Sequence, residues 1–389
     1  MEPLFYVGSK VIQTIEQKGY EAYFVGGAVR DFLLQRTIND IDIATSAPVE
    51  LVEQFFDVTV PVGKEHGTII VLFEDHSFEV TTFRTSSSNY PSLEEDLLKR
   101  DFTINAMAMN GKMELIDPFS FRKDLENKRI RAVANGMERF IEDPLRILRA
   151  CRFSSQLNFM IEAETIEAMK SCRSLIEGVA IERTVVEFEK LIRASSFSRG
   201  VEYLLSTGLL PHISFLENKE EALNTLATLN LDALISLEEV WAAFLYVDNS
   251  ERDYLSFLKE LKKSKQFVHQ VVRLLEALKR IEIYGWSKLL LYSYGLESSL
   301  KLGRILSVLN PRDLHLLTEQ KIYSMYNHLP IKSRRDLNVN GKILVRLFQK
   351  IQGPWIEKLL IEVEEAVLEQ KIQNDQNEIL AWLMKERDF

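Results

Sequence analysis

Gly26-Gly27-Ala28-Val29-Arg30-Asp31, followed by Asp40-Ile41-Asp42-Ile43-Ala44-Thr45-Ser46, is the stretch whose reading decides the fold. The glycine pair lies between an apolar run, Tyr23-Phe24-Val25, and residues 28–35, which read as a helix. Bare backbone N–H groups at a helix start can approach a triphosphate, and Arg30 adds a positive charge on the first turn. Residues 39–44 then read as a strand. Side chains at i and i+2 leave the same face of a strand, so Asp40 and Asp42 are expected to project together while Ile41 and Ile43 turn into a core. Two carboxylates so placed can hold divalent ions about 3.5–4 Å apart for an in-line displacement. A lone Gly-Gly is usually a turn and a lone Asp-x-Asp a solvated or capping pair; together they are much more specific.

Working outward, residues 4–19 read as an amphipathic helix and 22–25 as a strand, and Ser46-Ala47-Pro48 is expected to cap a helix running to about 55. Three strand-like runs follow at 58–60, 68–73 and 78–83, the last placing Glu79 and Thr81 on one face. After about 137 the pattern changes to long segments of period 3.6 with no repeat or low-complexity stretch. The fold class expected is α+β: a small mixed sheet with helices, then an all-α remainder. The 389 residues exceed the size at which a single core usually stops growing, so two to four domains are expected. The N-terminal residues show no basic region backed by an apolar one, and no uncharged apolar run approaches membrane-spanning length, so a cytoplasmic protein is expected. Cys151 and Cys172, the only cysteines, lie in helical stretches and read as buried thiols, and the six histidines lack metal-ligand spacing.

The net charge of −9 conceals an asymmetry: residues 251–350 carry 19 Lys and Arg against 9 Asp and Glu, a local +10 that leaves −19 on the remainder. A basic block in an acidic chain is the footprint expected of polyanion binding.

Two further motifs carry chemistry: Lys99-Arg100-Asp101-Phe102-Thr103-Ile104-Asn105-Ala106 and Glu142-Asp143-Pro144-Leu145-Arg146. Asp143 and Arg146 are three residues apart, which on a helix puts them on one face. Cytosine and adenine both present an amine donor next to a ring-nitrogen acceptor, matching a carboxylate and a guanidinium. Uracil and guanine present the opposite pattern.

With these residues quoted, the chain resembles the polymerase-beta type nucleotidyltransferases, specifically the bacterial class II tRNA nucleotidyltransferases that build or repair the 3′ CCA end. The resemblance implies a nucleotidyltransferase head at 1–136, a helical neck with the base-selecting motif at 137–200, a helical body at 201–290 and a tRNA-binding tail at 291–389. It implies that Asp40 and Asp42 hold two Mg2+ ions, with Glu79 as a third catalytic carboxylate. Gly26, Gly27, Arg30, Arg100, Asp101, Asn105, Asp143, Arg146, Arg149 and Arg152 would bind nucleotide, Arg100 pairing with phosphate and Asp101 and Asn105 reading ribose hydroxyls. Lys99 stands where the family motif has a first Arg; it keeps the charge but loses the bidentate fork. Glu182 and Arg183, in a helical element that braces the selector, are expected to act structurally. Lys262, Lys263, Lys265, Arg273, Lys332, Arg334 and Arg335 would contact phosphates of the tRNA acceptor and T arms.

One departure bears on the product. Only nine residues, 85–93, separate Arg84 from Glu94, including Ser86-Ser87-Ser88, whereas full CCA-adding members carry a distinctly longer loop associated with reshaping the pocket from CTP to ATP. The short link marks the CC-adding branch, which uses CTP and leaves the final A to a separate A-adding enzyme. The alternatives are a complete CCA-adding enzyme using CTP and ATP, a poly(A) polymerase, and an inert RNA-binding protein.

Overall fold

The computed structural model describes residues 3–63, 67–84, 92–249, 253–310 and 317–385. Its head is organised by one mixed sheet. In chain order come α1 (Pro3–Gln17), β1 (Ala22–Val25), α2 (Gly27–Leu33), β2 (Asp42–Thr45), α3 (Val49–Phe55), β3 (Thr59–Gly63), β4 (Thr68–Phe73), β5 (His76–Thr82), α4 (Leu93–Leu98), β6 (Ala108–Met109) and β7 (Leu115–Ile116). The strands lie in the order β3-β4-β5-β2-β1-β6-β7. The β2–β5 pair is parallel and the other pairs are antiparallel.

Side-chain alternation gives this sheet two different faces. Phe24 on β1 points toward α1, where Phe5 meets it edge-on at 4.9 Å, and Gly8 lets the helix settle there because a Cβ would stand 2.8 Å from the Phe24 ring. The other face carries Val25, Ala44, Phe83 and Ala108, covered by Leu93 and Leu97 of α4. Asp42 and Glu79 belong to this second face: Asp42 has the parity of Ala44, Glu79 that of Phe83, and Val25 and Glu79 are the register partners of Asp42.

Two differences from the sequence reading concern local chemistry. The carboxylate strand begins at Asp42, not 39; residues 37–41 are irregular, so Asp40 lies outside the ladder and the alternation argument does not apply to it. The residue preceding α3 is Pro48, and Ser46 does not cap it; its hydroxyl accepts the Glu21 amide instead.

Next come α5 (Arg122–Glu126), β8 (Arg129–Ile130), α6 (Gly136–Glu142), α7 (Leu145–Leu157), β9 (Met160–Ile161), α8 (Ala163–Cys172), α9 (Ile181–Ile192) and α10 (Phe197–Ser206). Against the expectation of a purely helical remainder, β8 and β9 form a small parallel pair. Cys151 and Cys172 are buried free thiols, and burial pushes the Cys151 thiol up to about 12.

The chain divides into two compact units, Met1–Glu220 and Glu221–Phe389. The second unit is helical: α11 (Glu220–Ala227), α12 (Leu237–Asp248), α13 (Tyr254–Glu260), α14 (Lys265–Tyr284), α15 (Lys288–Leu309), α16 (Glu319–Asn327), α17 (Gly341–Phe348), α18 (Trp355–Leu368) and α19 (Gln376–Lys385). Leu291, Ile322, Leu344, Val363, Leu368 and Ile379 centre one core there. The α15 segment is broken at Gly295, whose φ of 76° and ψ of 171° are non-helical.

Gly200 lets α10 approach α7: a Cβ there would stand 2.0 Å from Ser155 Oγ and 3.0 Å from the Cys151 carbonyl oxygen. Gly200→Ala is expected to lower stability by about 1–3 kcal/mol through overpacking, read as a lower urea midpoint at unchanged slope.

Candidate active site

The site starts where β1 turns into α2. Gly26 takes φ 71° and ψ −137°, a conformation that strains any side chain, and space is also closed. A Cβ on Gly26 would stand 3.1 Å from Asp42 Oδ2 and 3.3 Å from Arg100 Nη1. The glycine backbone, the strand carboxylate and the motif arginine therefore meet at one point.

Asp42 and Glu79 face each other across the parallel β2–β5 pair, and Asp40 is close enough for its charge to be felt. Burial first, then the charges of Glu79 and Asp40, push the Asp42 carboxyl up to about 6, against the pull of Arg100 and Arg84. Like charges held together in this way suit a divalent cation, whose binding offsets their repulsion. Among the described residues no group of three or more His, Cys, Asp or Glu is placed to hold a metal ion by itself. An open set of carboxylates fits Mg2+, which is commonly held by one or two carboxylates and completed by substrate phosphates and water.

Behind this point runs a buried polar chain. Arg30, 4% exposed, gives Nε and Nη2 to Asp31 at 3.0 and 2.7 Å and Nη1 to Asn105 Oδ1 at 2.7 Å. Asn105 donates to Asp101 Oδ1 at 3.1 Å, and Asp101 Oδ2 receives Arg149 Nε and Nη2 at 2.9 and 2.6 Å. Arg149 also reaches Glu187 at 3.4 Å, and Arg152 bonds Glu187 at 2.5 Å. Phe153 packs among the three cations, with guanidinium carbons 5.2 Å (Arg30), 5.3 Å (Arg149) and 3.8 Å (Arg152) from its ring centre. Asp101 and Asn105 are thus hydrogen-bonded to each other and to the arginines.

The selector segment differs from its expected form. Asp143 ends α6 with extended backbone (φ −146°, ψ 96°) and Pro144 precedes α7, so Asp143 and Arg146 do not share a helix face. Asp143 Oδ1 accepts the Leu145 amide at 3.3 Å and Oδ2 accepts Arg183 Nη2 at 2.9 Å. Arg146 gives Nη1 to the Arg139 carbonyl and Glu142, and Nη2 to the Lys99 carbonyl. Two of its five N–H groups hold backbone carbonyls and a third holds the Glu142 carboxylate, which leaves Nε–H and one Nη2–H. Arg139 likewise reaches the Leu98 carbonyl, so the selector segment grips the two residues before Arg100.

Sequence reasoning passed over Asp96, Arg139 and Arg84. Asp96 reads as one of three acidic residues opening a surface helix, and only the fold shows it buried beneath Arg100.

In the second unit the expected phosphate contacts separate. Arg334 is ion-paired: its Nε and Nη2 bond Glu364 at 2.7 and 3.1 Å, and Tyr292 donates to the same carboxylate at 2.7 Å. Arg273 bonds the Ser293 carbonyl and lies 5.2 Å from the Tyr294 ring centre. Lys263 Nζ is 5.4 Å from the Phe267 ring centre and Lys332 Nζ 5.7 Å from that of Tyr326. Lys262, Lys265 and Arg335 are exposed. Of the short link after Arg84, residues 85–91 lie outside the described residues.

A phosphate-approaching glycine turn beside strand carboxylates, on a small mixed sheet followed by helices, defines a nucleotidyltransferase of the polymerase-beta type. Comparison with known proteins agrees along the chain. Residues 22–131 match the poly A polymerase head domain, 158–218 the probable RNA and SrmB-binding site of polymerase A, and 233–383 the putative tRNA nucleotidyltransferase domain 2. A CCA-adding enzyme of Bacillus cytotoxicus is 38% identical over 384 residues, 96% of each chain. The Bacillus stearothermophilus CCA-adding enzyme in complex with CTP superposes with a TM-score of 0.93 at 36% identity, covering 99% of this chain and 98% of that one. A tRNA nucleotidyltransferase complexed with a primer tRNA and an incoming ATP analogue superposes with a TM-score of 0.60 at 26% identity, covering 81% of this chain and 96% of that one. The chain belongs to the class II tRNA nucleotidyltransferase family, which includes CCA-adding enzymes and poly(A) polymerases.

The buried chain sets a pH dependence. Burial alone would raise the Asp101 carboxyl; the Arg149 charge and hydrogen bonds from Asn105, Arg149 and the Phe102 amide outweigh it and hold the group well below the usual carboxylate range. A depressed folded-state pKa stabilises the protein above the unfolded value, about 4, and that contribution is lost as pH falls below it. The stability gap between wild type and Asp101→Asn is therefore expected to be full at pH 7 and to narrow between about pH 5 and pH 2, measured by urea unfolding at each pH.

Proposed function

We propose that this protein adds two C residues from CTP to the 3′ end of tRNA without a nucleic-acid template. The observation that carries the transfer chemistry is the meeting of Asp42 Oδ2 and Arg100 Nη1 at the Gly26 turn, with Glu79 and Asp40 beside them. Asp40 and Asp42 hold Mg2+, which supplies charge neutralisation on the triphosphate and acidifies the primer 3′-OH when bound. The Gly26 and Gly27 backbone and the Arg100 guanidinium receive the phosphates, and Glu79 adds negative charge to the same face. Asp143 accepts from the exocyclic amine of the incoming base and Arg146 donates to its ring nitrogen through the N–H groups it retains. Each keeps one side chain edge anchored to the protein, which fixes the reading geometry. Arg149 and Arg152, clamped by Asp101 and Glu187, orient the helix that carries Arg146. The exposed lysines of the second unit and Arg335 suit phosphates of the tRNA acceptor and T arms, and a tRNA complex of a family member supports that partner.

The stop after two additions is supported by the nine-residue link between Arg84 and Glu94, too short for the longer loop associated with accepting ATP. Completion of the whole CCA end is the second reading, favoured by the name of the relative at 38% identity.

Incubation with Mg2+ and tRNA lacking its last three nucleotides separates the two. Growth by two with CTP and none on adding ATP supports CC addition; growth by three with both nucleotides replaces it with CCA addition. Asp40→Ala and Asp42→Ala are each expected to abolish incorporation while tRNA affinity by filter binding is kept. An Asp143→Ala/Arg146→Ala variant is expected to lose selection against UTP; retained CTP preference would remove these residues from base reading.

A further inference from the structure

Among the buried carboxylates of the head that the reaction above leaves unused, Asp96 touches the side chain that meets the glycine turn. Asp96 lies on α4 and is 1% exposed. Its Oδ1 accepts the Arg84 amide at 3.1 Å, and its Oδ2 accepts Arg100 Nε and Nη2 at 3.0 and 2.8 Å. A carboxylate withdrawn from water is costly unless paired and hydrogen-bonded, and here both oxygens are satisfied.

The geometry has a direct effect on Arg100. A guanidinium is flat, so committing Nε and Nη2 to one carboxylate oxygen fixes its plane and leaves Nη1 on the far edge. Nη1 makes no hydrogen bond among the described residues, and it lies 3.3 Å from the point where a Gly26 Cβ would stand, with Asp42 Oδ2 3.1 Å from the same point. Arg100 is held by one edge and presents the other to the glycine turn. Because position 99 is Lys, the motif offers a single guanidinium, and its aim matters more for that reason.

We propose that Asp96 is a positioning residue for nucleotide binding, aiming Arg100 at a phosphate of the incoming nucleoside triphosphate and tying that aim to the chain leaving β5 at Arg84. The inference rests on the proposed reading of Arg100 as a phosphate ligand. A purely structural Asp96 would alter the melting temperature alone; a positioning residue alters nucleotide use in a way that depends on Arg100.

The test is a double-mutant cycle on the full chain with Mg2+ and tRNA lacking its last three nucleotides, measuring KM for CTP and kcat for the first addition. Asp96→Asn is expected to raise KM about tenfold, as Arg100→Ala does, and the double variant is expected to be no worse than Arg100→Ala alone. Melting temperatures are measured in parallel; if Asp96→Asn does not fold, Asp96→Glu, which keeps the charge but shifts the oxygens, is expected to show the same KM rise. An unchanged KM in the Asp96 variants, or losses that multiply in the double variant, overturns the positioning role. An unchanged KM in Arg100→Ala overturns the phosphate-ligand reading itself, a different failure visible in the single variant.

Discussion

The ion pair of Asp101 with Arg149 is the interaction on which the first unit depends. Asp101 follows Arg100, whose Nη1 meets Asp42 at the glycine turn; Arg149 lies on the helix that carries Arg146. Their bond joins the segment after α4 to α7, and each end is braced: Asp101 by Asn105, itself held by Arg30 on α2, and Arg149 by Glu187 on α9. Asp101 is the buried member and Arg149 is half-buried, so removing Arg149 strands a buried carboxylate, whereas removing Asp101 leaves a cation that Glu187 and water still reach.

Charge balance accounts for the arrangement of the arginines. Arg30, Arg149 and Arg152 crowd around Phe153, a congestion of cations that Asp31, Asp101 and Glu187 offset. Burial pushes the Arg152 guanidinium down, and the Glu187 carboxylate acts against that. Around Asp42 the sign is reversed, with Glu79 and Asp40 adding like charge that Arg100 and Arg84 only partly offset. The protein thus keeps one polar cluster neutralised from within and leaves the adjoining one to be neutralised by what binds.

Much of this was legible in the sequence. The β1 strand, the 68–73 strand and the glycine turn followed from apolar patterning and the placement of Gly, whereas Glu79 as a companion of Asp40 and Asp42 came only from the family resemblance, and its register opposite Asp42 is visible only in the sheet. What escaped were features set by tertiary contact. Asp143 and Arg146 have helical spacing, but Pro144 cannot donate a backbone hydrogen bond, so α6 ends and α7 begins between them. Asp96 is compositionally indistinguishable from Glu94 and Glu95 beside it; its burial depends on Arg100 and the Arg84 amide. Arg334 reads as a surface cation in a basic block, and Glu364, which claims it, lies 30 residues away.

The distances along the chain over which the polar network closes bear on how the protein is made. Arg30 meets Asn105 across 75 residues, Arg149 meets Asp101 across 48, and Arg152 meets Glu187 across 35. During synthesis from the N-terminus, Arg149 and Arg152 emerge well before Glu187, and until α9 leaves the ribosome Arg152 lacks its counter-charge. Loop closure over such separations is slow compared with local helix formation. The sheet closes over a still longer span, Phe24 pairing with Met109, yet all its strands precede α9, so it can form before Glu187, the last charge of the network, becomes available to Arg152.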